Sequence, residues 1–393
     1  MARLLRFTAA SLFVVFAGAL PAQATWDQTT VSNFGDSDSQ TSSLVISPSG
    51  GTFVAWESQG SDDLYWARRS ATGWRKTQVA GQNTFLACYS YENDWVGPSA
   101  GFLPDGTPQI ASTCDDSAGN RVMYSRLTTS GWSTVTVGHG PSGYPCSTSA
   151  TDIDLITRSN GKPVIFTTDW CTQGVLGFFR TKGVWKTVPV IDGASVGAFR
   201  LGAMSLAVDP SNGQIAMAFN ADVVGRSGLF FEEFTWAGNE VPGSFHSFVL
   251  PNSDAAYSEP SLAFAPDGTA YIAFQEGSAY GAPLADAYSF LALLTRTAGT
   301  WGAPRTIDDA VTFTGGEPSL SLAGGTFHIA YQDDTTRDLR YATSPDGTTW
   351  TFATILTKGD TGHFPSLAIT ASGSARISFY NRSDTALRAV SGP

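Results

Sequence analysis

The sequence predicts an all-β fold: a seven-bladed β-propeller of four-stranded antiparallel blades, closed by the N-terminal strand pairing into the last blade. Three observations predict it. Short β-branched and aromatic runs are punctuated by Gly, Pro and Asp along the chain. One unit recurs, with its first turn at Gly51, Gly106, Gly161, Gly213, Gly268, Gly325 and Gly373, spaced by roughly 50 to 55 residues. Trp74, Trp132, Trp185, Trp236, Trp301 and Trp350 stand where a fourth strand would open, which gives an independent count.

Residues 1–24 read as a secretory signal, with Arg3 and Arg6 at the charged start, an apolar run from Phe7 to Leu20, and Ala22-Gln23-Ala24 as the cleavage site. The mature chain then begins at Thr25, and residues 25–393 form one propeller domain. No later apolar run is long enough to span a bilayer, so a secreted, extracellular or periplasmic product is expected. Trp26-Asp27-Gln28-Thr29-Thr30-Val31 resembles Trp74-Arg75-Lys76-Thr77-Gln78-Val79, the start of a fourth strand. The last blade, ending at Pro393, lacks such a strand, and the N-terminal segment is expected to supply it.

Blades one to three run Ser43–Ala80, Ser99–Val137 and Asp154–Ile191. Blade four runs Met204–Leu250 with an extended outer hairpin around Ala237–Gly243. Blade five carries an insertion, Gly277 to Tyr288, between its second and third strands. Blade six is the most regular: Ser319–Ala323, Thr326–Gln332, Leu339–Thr343 and Trp350–Leu356, while Pro365 to Val390 repeats its first three strands.

Cys88, Cys114, Cys146 and Cys171 fall at matching positions in blades two and three. An even count in an exported chain suggests two disulfides, Cys88–Cys114 and Cys146–Cys171. Each would close a loop of roughly 25 residues and contribute about 3 kcal/mol in the chain-entropy model. The spacing lacks a CxxC unit, so no metal site and no cofactor are expected. The net charge of −11 and the lack of a basic groove argue against nucleic acid as a partner.

In a blade, the loops between blades and those joining strands two and three share one face; the short Gly turns occupy the other. The long, varied loops are all of the first kind, so that face is the candidate site. Glu57, Asp115, Asp169, Asn220, Glu276, Asp333 and Asn381 end the second strands there. They either cap the following turn or contact a ligand. Arg200, Glu259, Glu317 and His363 precede first strands and would sit nearer the axis, as ordinary loop charge or as an acid–base set. Trp95, Tyr144 and Trp170 lie off the repeat positions; they plug long loops or present flat faces to sugar rings. His328, inside a strand, reads as a packed core histidine.

Ser344-Pro345-Asp346-Gly347-Thr348-Thr349-Trp350 resembles, one residue short, the Ser-x-Asp-x-Gly-x-Thr-Trp Asp-box of the sialidase-like propellers. The resemblance implies a structural turn on the face away from the site. Phe199-Arg200-Leu201 is similar only faintly to that family's Phe-Arg-Ile-Pro, and the family's catalytic set is not recognisable. The expectation is an extracellular propeller that binds a glycan or other polar ligand without catalysis. The alternatives are a glycan-active enzyme, either a sialidase-like hydrolase or a polysaccharide lyase, and a protein-binding scaffold.

Overall fold

The computed structural model describes residues 25–33, 41–58, 63–81, 97–116, 119–139, 150–169, 174–192, 198–223, 226–248, 255–278, 288–309 and 313–393. They form seven antiparallel sheets, each one blade. Blade one is Ser42–Ile46, Thr52–Ser58, Asp63–Ser70 and Gly73–Ala80. Blade two is Ser99–Phe102, Pro108–Asp116, Gly119–Thr128 and Gly131–His139. Blade three is Ala150–Thr157, Pro163–Asp169, Gly174–Thr181 and Val184–Asp192. Blade four is Ala198–Val208, Ile215–Val223, Arg226–Phe234 and His246–Phe248. Blade five is Ala255–Phe264, Ala270–Ser278, Ser289–Thr297 and a split outer strand, Thr300–Trp301 and Arg305–Asp308. Blade six is Gly316–Ala323, Thr326–Asp333, Asp338–Ser344 and Thr351–Leu356. Blade seven is His363–Ile369, Ala375–Asn381, Ala386–Ser391 and, from the N-terminus, Asp27–Asn33.

The closing strand pairs antiparallel with Ala386–Ser391, from Asp27 opposite Ser391 to Asn33 opposite Ala386. Alternation along each strand sends side chains to both faces, and each face packs on a neighbouring blade. The core is therefore seven wedges, one between each adjacent pair, including blade seven against blade one. The tryptophans seal the outer parts of these wedges. Trp132 packs on Trp66, Trp185 on Tyr124, Trp301 on Phe231 and Trp26 on Tyr341, in each case the third strand of the preceding blade, with centroids 5.0–5.7 Å apart.

Around the axis the blades are stitched by a closed circle of bonds. In each inner strand one side-chain oxygen accepts a backbone N–H of the next blade. Ser43 takes Ala100, Ser99 takes Leu155, Asp154 takes Leu206 and Ser205 takes Leu262. Ser261 takes Leu320, Ser319 takes Leu367 and Ser366 takes Leu44, all seven at 2.8–3.0 Å. The inner-strand N–H groups face the axis, where no further strand can pair them, and an unpaired one is costly. Asp154 takes the serine's role in blade three. It also accepts Ser99 Oγ and its own neighbour Leu155 N–H, and burial raises its carboxyl above the usual range. Asp154→Ser is therefore expected to leave thermal stability within about 1 kcal/mol of the native chain, while Asp154→Ala orphans the Leu206 N–H and costs about 2 kcal/mol. Thermal or urea unfolding of the two variants checks this, and equal losses would count against the stitch.

One local expectation needs correction. Trp236 does not open a fourth strand. It sits in the hairpin before His246–Phe248, its Nε1–H donating to Gly213 O at 2.5 Å. That hairpin brings Glu240 beside the buried Glu232, whose carboxyl is pushed up to about 8 by desolvation first and by Glu240 second. A folded-state pKa above the unfolded value means the proton is held by the fold. The stabilisation is complete below about 4.5 and is lost as pH climbs towards 8. Glu232→Gln is neutral throughout, so its Tm should exceed the native value by about 2–4 °C at pH 8, with the gap closing at pH 5. The first turn of blade one holds Gly51 as expected, closed by Ser47 N–H to Gly51 O at 2.8 Å, with the left-handed backbone at its neighbour Gly50, φ +84°.

The seven residues that resemble the Asp-box do form a self-bonded turn. Asp346 Oδ1 accepts Thr348 N–H at 2.7 Å and Thr349 N–H at 2.8 Å, and Ser344 Oγ donates to it at 3.0 Å. Those donors hold the carboxyl far below its ordinary range. His328 is buried, its Nδ1 2.6 Å from Tyr341 Oη, as a core histidine should be. Of the predicted disulfide residues, Cys88, Cys146 and Cys171 lie outside the described residues, and so does the Cys114 side chain.

Candidate functional site

In blades five to seven the described interblade linkers and the described loops between second and third strands meet on one face. Thr335 N–H donates to Phe313 O, Thr361 N–H to Arg337 O, and Arg382 N–H to Asp360 O, at 3.1, 2.8 and 2.9 Å. The cavity at the axis below this face holds about 290 Å³ and touches the inner strand of every blade. Asp152, Asp154 and Glu317 line it, together with the serine circle.

Blades five to seven bring the described charged groups together. Asp333 and Asp334 follow the second strand of blade six and divide the work. Asp333 Oδ1 accepts Thr335 and Thr336 N–H at 3.0 and 3.1 Å, and its Oδ2 lies 3.5 Å from Arg340. It caps the turn and is buried. Asn381 caps the matching turn of blade seven through Ser383 N–H, at 3.0 Å. With Asp333 facing inward, Asp334 turns across the interblade groove and accepts Gln275 Nε2–H at 2.6 Å. The residue as a whole stays exposed, but its carboxyl is hemmed in: a Cβ on Gly316 would lie 2.9 Å from Oδ1. Desolvation raises this carboxyl above the usual range and Asp333 adds to the shift, while Gln275 and the His363 charge oppose it.

Glu317 sits two residues before Ser319, in left-handed backbone at φ +51°, and Phe364 holds the equivalent place in blade seven at φ +49°. This conformation costs a non-glycine residue about 1 kcal/mol or more. It accompanies a register shift between Gly316 and Ser319 that places Glu317 on the channel wall, where its Oε2 accepts the Phe364 N–H. His363 Nε2 lies 2.7 Å from Asp360 Oδ1. A carboxylate oxygen only accepts, so the Nε2 proton points to Asp360. Gln332 Nε2, 3.2 Å from the same nitrogen, donates to Thr361 O at 3.3 Å.

The predicted residues thus divide. Glu317, His363 and Asp333 converge on the loops of blades six and seven. Glu276 lies one strand away in blade five, half-buried, its carboxyl raised by desolvation. Arg200 and Glu259 lie in the inner strands of blades four and five, and Asp115 and Asp169 in the second strands of blades two and three, but the side chains of all four are outside the described residues. Trp95, Tyr144 and Trp170 are outside them altogether. Sequence reasoning did not single out Asp334, Asp360, Gln275 or Gln332. The doubled Asp333-Asp334 was the available signal, since one residue suffices to cap the turn.

No protein-family model matches the chain, and no curated protein is significantly similar to it. Solved structures share its fold. The polysaccharide lyase Uly1 is similar with a TM-score of 0.56 at 13% identity, over 96% of this chain and 94% of that one. The Penicillium chrysogenum α-L-arabinanase complexed with arabinobiose gives 0.53 at 11%, over 94% and 98%. The Fusarium graminearum α-L-arabinofuranosidase Arb93A, in complex with an iminosugar inhibitor, gives 0.53 at 11%, over 94% and 96%. Among the described residues no helix is long and apolar enough to cross a membrane.

Proposed function

We propose that the protein is an exported glycan-active enzyme, a glycoside hydrolase of neutral saccharides, working on the loop-rich face of blades five to seven. The observation that carries this is Asp334: a carboxyl raised by its surroundings and packed against Gly316, whose chain neighbour Glu317 lines the axial cavity. Asp334 in its protonated form would give a proton to the leaving oxygen, and Glu317 would act as the partner carboxylate. The Asp360–His363 pair would hold substrate hydroxyls. Described acidic groups outnumber cations here, which disfavours a polyanionic substrate and so a lyase acting on uronates. The enzymatic activity of the arabinanase, arabinofuranosidase and lyase folds supports the enzyme reading over glycan binding without catalysis. Kinship with sialidases rests only on the Ser344–Trp350 turn. Arg200, Glu259, Trp95, Tyr144, Trp170, Asp115 and Asp169 remain proposed contacts, and both disulfides and cleavage before Thr25 belong to the same reading.

A panel of neutral and acidic polysaccharides, assayed for retention and for new reducing ends, tests the proposal. Release from a neutral glycan is expected, lost by about a hundredfold or more in Asp334→Asn. Because the acid must carry its proton, activity should fall as pH rises through the raised Asp334 pKa. Retention without release would return the protein to the binding class, and unsaturated products would assign it to the lyases.

A further inference from the structure

Tyr288 immediately precedes the third strand of blade five, Ser289–Thr297, on the loop-rich face and keeps 40% of its surface exposed. Its ring lies parallel to that of Phe290, with centroids 5.6 Å apart and planes 8° apart. Residues two apart along extended backbone share a face, and the stacked rings put Tyr288 on the side of Phe290. Phe290 beneath is packed into the wedge between blades four and five. The tyrosine is thus propped rigidly from below while much of its ring remains at the surface. Glu276 stands directly opposite Phe290 across the second and third strands, which places its side chain on that same face. An aromatic face next to a half-buried carboxylate matches the two sides of a sugar ring, apolar C–H on one and hydroxyl donors at the edge.

This arrangement is tied to the proposed catalytic cluster. Gln275 Nε2 donates both to Asp334, at 2.6 Å, and to Oγ of Ser289, the residue after Tyr288, at 3.1 Å. Ser289 and Tyr288 point to opposite faces of the strand, so the two groups lie on either side of the blade-five edge.

We infer that Tyr288 and Glu276 form a second saccharide subsite, Tyr288 as stacking platform and Glu276 as hydroxyl acceptor, so that the ligand is an oligosaccharide long enough to cross the edge of blade five. The inference rests on the hydrolase reading for the identity of the ligand class. Affinity electrophoresis and calorimetry with a graded series of neutral oligosaccharides test it, using Tyr288→Ala, Tyr288→Phe and Glu276→Gln. Tyr288→Ala should weaken binding of the longer members roughly tenfold and leave the shortest unchanged, Tyr288→Phe should bind like the native protein, and Glu276→Gln should follow Tyr288→Ala. A circular dichroism melt unchanged in Tyr288→Ala excludes misfolding. Native-like binding of long oligosaccharides by Tyr288→Ala overturns the subsite while release by the native protein keeps the hydrolase reading. No retention or release on any glycan by the native protein overturns both.

Discussion

Replacing Trp26 with Ala should destabilise the protein by about 3 kcal/mol, the cost of emptying a large aromatic site. The ring stands edge-on to Tyr341, with centroids 5.1 Å apart, and packs on the wedge between blades six and seven. Tyr341 in turn holds His328, so the vacancy would reach a buried polar contact. Gly392 is the seat of the ring: a Cβ there would come within 2.3 Å of the indole. Gly392→Val should therefore lose a similar amount by displacing Trp26 rather than deleting it. Deleting residues 25–33 goes further, because it strips the partner from Ala386–Ser391 and leaves an open sheet edge. Thermal unfolding with size-exclusion chromatography would show a lowered Tm for the substitutions and aggregation for the deletion. A Trp26→Ala protein with native Tm would mean the strand pairing alone closes the ring.

Arg340→Ala should cost about 3–5 kcal/mol. Arg340 Nη1 lies 2.9 Å from Asp308 Oδ2 and 3.5 Å from Asp333 Oδ2, and the two carboxylates are 2% and 5% exposed. Tyr331 Oη donates to the same Asp308 oxygen at 2.5 Å, and the desolvation around it lifts the phenol well above its ordinary range. Truncation would strand two buried negative charges between blades five and six. Asp333 also fixes the turn carrying Asp334, so the glycan release proposed above should fall with stability. Arg340→Met combined with Asp308→Asn should recover most of the loss at neutral pH, which unfolding curves would reveal.

The ring was legible because its repeat imposes one pattern seven times: Gly turn, β-branched run, tryptophan. Even the axial stitch left a trace, in Pro98-Ser99, Pro260-Ser261, Pro318-Ser319 and Pro365-Ser366, although its role needed neighbouring blades to be seen. The outer strand of blade four was lost because its hairpin pushes Trp236 off the repeat position. The site was only half legible. Glu317 and His363 could be placed by counting back from first strands, but the left-handed turn at Glu317 is imposed by tertiary contacts and has no signature in local pattern. Asp334 escaped because its environment comes from Gln275 and Gly316, residues of other strands.

Thr29 donates through its hydroxyl to Ala389 O, a residue 360 positions further along the polypeptide. During synthesis the Asp27–Asn33 strand has no partner until Ala386–Ser391 has been made, so the circle completes only after every other blade exists. Pairing at such sequence separation is slow, and the waiting edges can meet those of another nascent copy. Shielding the leading segment until the last strand is made should thus raise the yield of closed rings.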